Sequence, residues 1–278
     1  MRHSLLTLTA LPFALLAGQA LAADECRHTA PRDLQLDLRG VKTVMFDIGP
    51  HDLVVKASPG AKAEVKGKAC ASNPDRLKDL TVTQQRVGEK LVVKAERDDI
   101  VQFNFGGNHY AYLVLNATVP DNVMVQVDVG SGDARVEGAS AMSADVGSGD
   151  VEARNIRGQV TADVNSGDIE LDTIGSLHVL SVGSGDLNAR RIKGKAVIGD
   201  IGSGSVELRD VGGDVTVEEI GSGDLQVNQV GGNVSAGRIG SGGLDAHDVR
   251  GSLTVRRVGS GSVDHSGITG RVDVPSDD

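Results

Sequence analysis

The sequence predicts an all-β fold, a β-solenoid (parallel β-helix) with about 19 residues and two short strands in each coil. The tetrapeptide Gly-Ser-Gly-Asp, or a close variant, begins at residues 130, 147, 165, 183, 202, 221, 240 and 259, so its spacing is 17, 18, 18 and then four times 19 residues. Apolar and polar residues alternate between these tetrapeptides. No proline lies between Pro120 and Pro275, as expected where every backbone N–H takes part in a β-ladder.

The copy at residues 202–220 shows how one coil is built. Val206 and Leu208, and later Val215 and Val217, alternate with polar residues, which is the period of a half-buried strand. Gly-Ser-Gly interrupts the pattern at one end and Gly-Gly, Arg-Gly or Lys-Gly at the other. Because glycine readily adopts positive φ, we expect tight corners there. The expected corner glycines of the first kind are Gly130, Gly132, Gly147, Gly149, Gly183, Gly185, Gly202, Gly204, Gly221, Gly223, Gly240, Gly242, Gly259 and Gly261.

The N-terminal part is rich in predicted strands but irregular. The segment 48–55 echoes the Ile-Gly-Ser-Gly-Asp-Leu-x-Val of the later coils, which indicates a degenerate coil with the solenoid beginning near Val44. Asn73-Pro74 predicts the start of one short helix through Leu80. Residues 80–85 and 90–95 predict a hairpin around 86–89. We expect this region to cover the open edge of the first coil.

The chain therefore divides into three expected parts: a secretory signal peptide at 1–22, an N-terminal β-rich capping region with a degenerate coil at 23–120, and the regular solenoid at 121–278. At the far end His265 takes an inward place, and we interpret it, with Pro275 and the acidic tail, as part of a C-terminal cap.

The first residues are typical of a secretory signal. Arg2 and His3 precede an apolar run too short to span a bilayer, and Ala20-Leu21-Ala22 forms a small-residue cleavage site. We expect export, either to the periplasm or to the cell surface and medium, and no transmembrane segment in the mature chain. Cys26 lacks the preceding small residue of a lipoprotein signal.

Two cysteines remain in the expected mature chain, Cys26 and Cys70. In an oxidising compartment they favour a structural disulfide. The alternative, a reactive or metal-binding cysteine, has no neighbouring Cys-x-x-Cys or histidine pair to support it.

Charge is divided unevenly along the chain. Residues 121–278 contain 25 Asp and Glu against 13 Lys and Arg, a balance of −12, whereas 23–120 are close to neutral. Such an acidic surface repels phosphate backbones and anionic lipids, so we expect no nucleic-acid partner.

The corner aspartates are the one pattern that suggests a metal site. Stacked carboxylates about 4.8 Å apart repel one another, and a cation such as calcium would relieve the repulsion. The alternative is that each side chain accepts hydrogen bonds from the backbone of its own corner, which the substitutions Ser205, Gly243 and Ser262 suit better. The calcium candidates are Asp133, Asp150, Asp168, Asp186 and Asp224.

Catalytic patterns are weak throughout. A polysaccharide lyase or hydrolase needs a paired acid and base, usually with aromatic or arginine residues that grip sugar, and no aromatic residue follows Tyr112. The pairs Arg190-Arg191 and Arg256-Arg257 are the residues that could contact an anionic glycan. His178, His247 and His265 fall on different coils, and no phosphate-binding loop occurs. We expect no enzyme, no catalytic residues and no cofactor.

The run Val-Pro-Asp-Asn-Val-Met-Val-Gln-Val-Asp-Val-Gly-Ser-Gly-Asp at 119–133, with the repeats after it, resembles the bacterial putative-adhesin family of β-strand-repeat proteins. The resemblance spans about 41–274 and implies an exported, non-enzymatic β-helical protein of the cell envelope. It implies either an adhesin-like binding or structural scaffold, or a periplasmic accessory of an envelope-stress sensing system. Its partner would be an unknown envelope protein or an extracellular ligand.

Overall fold

The computed structural model describes residues 26–98 and 110–275, and the expected signal peptide at 1–22 lies outside the described residues. Eight strands and a 3-10 helix at Pro74–Asp79 build the N-terminal part, and all of them precede residue 121. The strands are β1 His28–Pro31, β2 Leu34–Gln35, β3 Thr43–Gly49, β4 Asp52–Ser58, β5 Glu64–Ala71, β6 Leu80–Val87, β7 Lys90–Arg97 and β8 Ala111–Pro120.

The remaining strands belong to the repeats, and two of them, β12 and β13, run without a break around one corner of the coil. The strands are β9 Met124–Val129, β10 Ala134–Glu137, β11 Met142–Val146, β12 Asp150–Val164, β13 Asp168–Val182, β14 Asp186–Ile192, β15 Ala196–Ile201, β16 Ser205–Val211, β17 Val215–Ile220, β18 Asp224–Val230, β19 Val234–Ile239, β20 Gly243–Val249, β21 Leu253–Val255, β22 Ser262–Ser266 and β23 Val272–Asp273.

Parallel pairing between successive coils produces two facing sheets and confirms the predicted β-solenoid with its spacing of about 19 residues. Sheet A contains β4, β10, the first halves of β12 and β13, and β14, β16, β18, β20 and β22. Sheet B contains β3, β9, β11, the second halves of β12 and β13, and β15, β17, β19, β21 and β23.

The core is a narrow aliphatic layer between the two sheets. In the coil at 202–220, Val206, Leu208, Val215 and Val217 are all at most 1% exposed. Their equivalents in neighbouring coils stack directly above and below them through the strand registers. Because outward residues alternate with these, every coil presents a fixed set of polar side chains on each sheet.

The corner glycines serve a different purpose from the expected one. None of the glycines in the Gly-Ser-Gly corners has a positive φ, so that prediction is wrong. A Cβ atom on Gly223 would instead lie less than 3.0 Å from the carbonyl oxygen of Gly204 in the preceding coil. Glycine is required there because stacked corners bring backbone against backbone.

The positive φ angles lie at the opposite corner. One residue in each coil adopts the left-handed conformation, and most of them carry side chains, at φ angles from 55° to 60°. Glycine occupies only the two ends of this series, at Gly138 and Gly267. The members with side chains are Asn155, Thr173, Arg191, Asp210, Gln229 and Asp248.

The N-terminal strands cover the first coil, which β3 and β4 form. Strands β7 and β8 pair in parallel with β3 and β4 respectively. Outside them β6 and β5 continue the two sheets in the antiparallel direction, and β6 with β7 is the predicted hairpin. The predicted short helix is the 3-10 helix, in which the Asn73 side chain accepts a hydrogen bond from the Asp75 N–H at 2.9 Å.

A disulfide joins Cys26 to Cys70, which confirms the predicted pairing. It ties the chain just before β1 to β5, so the outermost antiparallel strands are fixed covalently to the cap. Among the described residues, no helix is both long enough and apolar enough to cross a membrane.

The last coil is more open than the first. His265 stands in register with the buried Ala246 but is itself exposed, and Val272 is 38% exposed. Within the described range, no strand pairs with the outer edge of β22 or β23. Residues 276–278 of the acidic tail lie outside the described residues.

Candidate functional site

A groove along sheet A is the first candidate binding site. It has a volume of about 610 Å³ and crosses five successive strands, from β10 to β16. Outward side chains of Arg135, Glu152, Glu170, Asn188 and Glu207 line it, so its surface offers both hydrogen-bond donors and acceptors, with carboxylate acceptors in the majority.

Ion pairs within this groove hold its arginines in place. Arg135 Nε lies 2.9 Å from Glu152 of the next coil, and Arg154 pairs with the same carboxylate. Arg209 pairs with Glu207 on its own strand. These are exposed pairs of small individual energy, so their main effect is to fix side-chain positions.

One carboxylate in the solenoid is buried. The Asp172 side chain is 9% exposed, and Arg190 Nη2 lies 2.9 Å from its Oδ2, while Arg191 pairs with Oδ1. Thr173 donates its hydroxyl to Oδ1 at 2.9 Å and accepts a hydrogen bond from Arg191 Nε at 3.0 Å. Burial works to raise the pKa of Asp172, but the hydrogen bonds from Arg190 and Thr173 and the two guanidinium charges lower it overall. The cluster thus holds two neighbouring arginines with their outer N–H groups facing solvent.

A second groove follows the left-handed corner and has a volume of about 680 Å³. One wall contains Asp210, Gln229 and Asp248. Lys193 lines its first coil and Arg250 its fourth, and Gly267 and Thr269 line the fifth. Arg190 lines the sheet A groove and Arg191 this corner groove, so the Asp172 cluster lies where the two meet.

The structure brings the calcium candidates into one column, in which the first four occupy consecutive coils and Ser205 separates the last two: Asp133, Asp150, Asp168, Asp186 and Asp224. Asp150 N–H donates to Asp133 Oδ1 at 3.3 Å, and Asp186 N–H donates to Asp168 Oδ1 at 3.0 Å. The carboxylates of Asp133, Asp168 and Asp186 therefore bond the corner of the next coil, not their own corner as we expected. Among the described residues, no three His, Cys, Asp or Glu side chains lie close enough to hold a metal ion. Calcium binding stays the untested alternative to the hydrogen-bonding role that the sequence favours.

Sheet B contains an aspartate ladder that the sequence reasoning missed. Asp47, Asp128, Asp145 and Asp163 occupy the same outward place in four successive strands. Partial burial, followed by the charges of Asp47 and Asp145, raises the pKa of Asp128. The Asp-Val pairs at 128–129, 145–146 and 163–164 recur with the coil period in the sequence, but Asp47 lies 81 positions before Asp128.

The histidines do not converge, as expected. His178 lies on sheet B and His247 on sheet A, where its Nδ1 is 2.8 Å from the Ser266 hydroxyl. The arginine pair at 256–257 lies on sheet B, far along the chain from the Asp172 cluster, and is exposed.

No family model and no curated protein matches the chain. Among solved structures, it is similar to a protein from Parabacteroides distasonis described as a putative adhesin, with 16% identity, a TM-score of 0.46, and coverage of 86% of this chain and 97% of that one. It is also similar to a protein of the same organism described as a putative lipid binding protein, with 15% identity and a TM-score of 0.38. That match covers 87% of this chain and 96% of the other. A third similar structure, described as a putative cell adhesion protein from Clostridium sporogenes, has 11% identity and a TM-score of 0.28. The match covers 88% of this chain and 100% of the other. The function is therefore argued from this molecule's own surfaces.

Proposed function

We propose that the protein is an exported, non-enzymatic β-solenoid of the cell envelope that binds a ligand along the groove of sheet A. The observation that carries this proposal is the groove itself, in which polar side chains recur on five successive strands. Because stacked strands fix the distance between equivalent side chains at about 4.8 Å, the groove suits a long ligand with many polar groups.

Two further features support the exported, envelope part of the proposal. Disulfides persist mainly in oxidising compartments, and the Cys26–Cys70 bond anchors the cap. The sequence before Cys26 is typical of a cleaved signal. Removal of residues 1–22 is part of this proposal.

Cosedimentation of the purified protein with isolated envelopes of the source cells tests the binding face. Asn188→Trp places a bulky ring in the sheet A groove, whereas Ser235→Trp places the same ring on an outward position of sheet B. We expect the first substitution to raise the Kd about tenfold, a loss of roughly 1.4 kcal/mol in binding free energy, and the second to leave the Kd unchanged. Equal binding by both variants and the wild type would contradict the assignment to sheet A.

A further inference from the structure

Basic residues are concentrated in one coil of the acidic solenoid. Four of the 13 Lys and Arg residues of 121–278 lie within 190–195, and all four side chains are exposed. The preceding coil, 165–182, has no Lys or Arg, and the following coil, 202–220, has only Arg209. The four residues, here named the basic ridge, are Arg190, Arg191, Lys193 and Lys195.

The basic ridge wraps around the corner between the two sheets. It begins near the end of β14 and ends just before β15. Asp172 holds Arg190 and Arg191, whereas neither Lys193 nor Lys195 has an ion pair with any residue that the structure describes. The arginines are therefore fixed in direction and the lysines are available to a ligand.

The corner groove leads from the ridge toward the C-terminal coils, and its lining combines Lys193 and Arg250 with the carboxylates of Asp210 and Asp248. Lys193, Gly212, Gly231 and Arg250 occupy equivalent places in four successive coils and line the groove. The two glycines leave that side free of side chains between Lys193 and Arg250, which three layers separate by about 14 Å. A ligand lying against the glycines would meet these two cations and would also pass the carboxylates of Asp210 and Asp248.

We propose that the basic ridge binds an anionic polysaccharide, whose sulfate or carboxylate groups contact the ridge and whose hydroxyl groups contact the polar sheet A groove beside it. Guanidinium groups bind such planar or tetrahedral anions through paired charge-assisted hydrogen bonds. Closely spaced Lys and Arg runs of this kind are typical of heparin-binding patches. This inference rests on the proposed function and names its ligand class.

The surrounding charge distinguishes a polysaccharide from other polyanions. A DNA duplex or an anionic membrane presents its charge over a wide area, so it would also meet the carboxylates of Asp210, Glu207 and Asp248. A single flexible glycan chain can instead place its anionic groups against the basic residues and turn its hydroxyl groups toward these carboxylates. Because the ridge cations are exposed to solvent, their attraction for the anionic groups should weaken as salt is added.

Binding of the full mature protein to immobilised heparin at low ionic strength tests the proposal. Polygalacturonate serves as the carboxylated polymer and dextran as the uncharged one, so the two anion types are distinguished. The doubly substituted variant Lys193→Gln/Lys195→Gln should raise the Kd at least fivefold. The matched variant Arg256→Gln/Arg257→Gln removes two exposed cations from the same solenoid and should change the Kd less than twofold. Thermal melts should be unchanged in both, because none of these four side chains has an ion pair among the described residues.

Three results would overturn the proposal: no binding to either anionic polymer, an equal loss in the matched variant, or binding to duplex DNA or phosphatidylglycerol vesicles as tight as to the polysaccharides. Envelope binding that depends on Asn188 would still stand in each case. Failure of the ridge is therefore distinguishable from failure of the proposed function.

Discussion

The carboxylate of Asp186 accepts a hydrogen bond at 3.0 Å from the backbone N–H of Ser205, the residue at the same corner of the next coil. The same relationship occurs at the other corner, where the Asn233 N–H donates to Asp214 Oδ1 at 2.7 Å. Polar corner side chains thus connect successive coils in addition to the strand ladders. This explains why Asp, Asn and Ser recur at corners without requiring an ion.

Asp186→Ala should lower the free energy of unfolding by about 1 kcal/mol, because the Ser205 N–H loses its partner. Asp224→Ala is the matched control. The residue above it, Gly243, donates its N–H to the carbonyl of Gly223 instead. Guanidinium denaturation of both variants measures the difference, and an equal effect at the two positions would contradict the role of the side chain between coils.

Substitution by glycine should change the free energy of unfolding in opposite directions at the left-handed corner and within a strand. Gln229 has a φ of 59°, a conformation that costs a residue with a side chain about 1 kcal/mol, so Gln229→Gly should preserve or raise stability. Gln226→Gly, three residues earlier in an extended strand, should lower it by roughly 1 kcal/mol. If the melting temperature falls by the same amount in both variants, the strain at the corner is negligible.

Gly223→Ala should be severely destabilising, by about 3 kcal/mol or more, because its Cβ would overlap the backbone of Gly204. The outward, polar Ser222 of the same corner offers a control, since Ser222→Ala adds no atoms. Circular dichroism and melting temperature measure both variants. A Gly223→Ala protein that melts like the wild type would refute the close stacking of corners.

Mild acid should raise the free energy of unfolding through Asp128 of sheet B. Because the pKa of Asp128 is raised in the folded protein, folding takes up a proton as the pH falls through that pKa. Stability should therefore rise on acidification until the pH reaches the ordinary aspartate value of about 4. Asp128→Asn should be more stable than the wild type at pH 7 and should flatten this part of the pH profile.

Asp172 provides the contrasting case. Its pKa is lowered in the folded state, so its contribution to stability is present above the ordinary aspartate pKa and is lost as the pH falls through the folded value. Asp172→Asn should lower the free energy of unfolding at pH 7, since two arginines lose a buried counter-ion. Urea denaturation across pH 3–7 would test both signs, and parallel pH profiles for the two variants would contradict them.

Loss of the disulfide should destabilise the cap strands without unfolding the coils. Its half-cystines are 44 residues apart, for which the chain-entropy model gives about 4 kcal/mol. Hydrogen exchange of β1 and β5 should accelerate in the Cys26→Ser/Cys70→Ser variant, while exchange in β16 to β19 should not change. Unaltered exchange in β1 would show that the bond does not hold the cap.

The architecture was predictable because the 17–19-residue period indicates which residues occupy equivalent places in successive coils. The stacking of Val206 on Leu187 follows from it. The Asp172 cluster depends on the same period, since Arg190 lies 18 residues later, and aligned coils would have revealed it. The reason for Gly223 was not predictable locally, because the contact that requires glycine is with another coil. The Asp47–Asp128 pairing was hidden by the cap strands inserted between them.

The most direct test of an exported envelope protein is fractionation of native cells, combined with protease treatment of intact ones and mass determination of the recovered chain. We expect a chain shortened by about 22 residues, two protons lighter than its reduced form, in the periplasm or at the surface. Digestion on intact cells would favour an adhesin-like scaffold, and a protected periplasmic pool would favour an accessory of envelope-stress sensing. A full-length chain with free thiols in the cytoplasm would contradict the account.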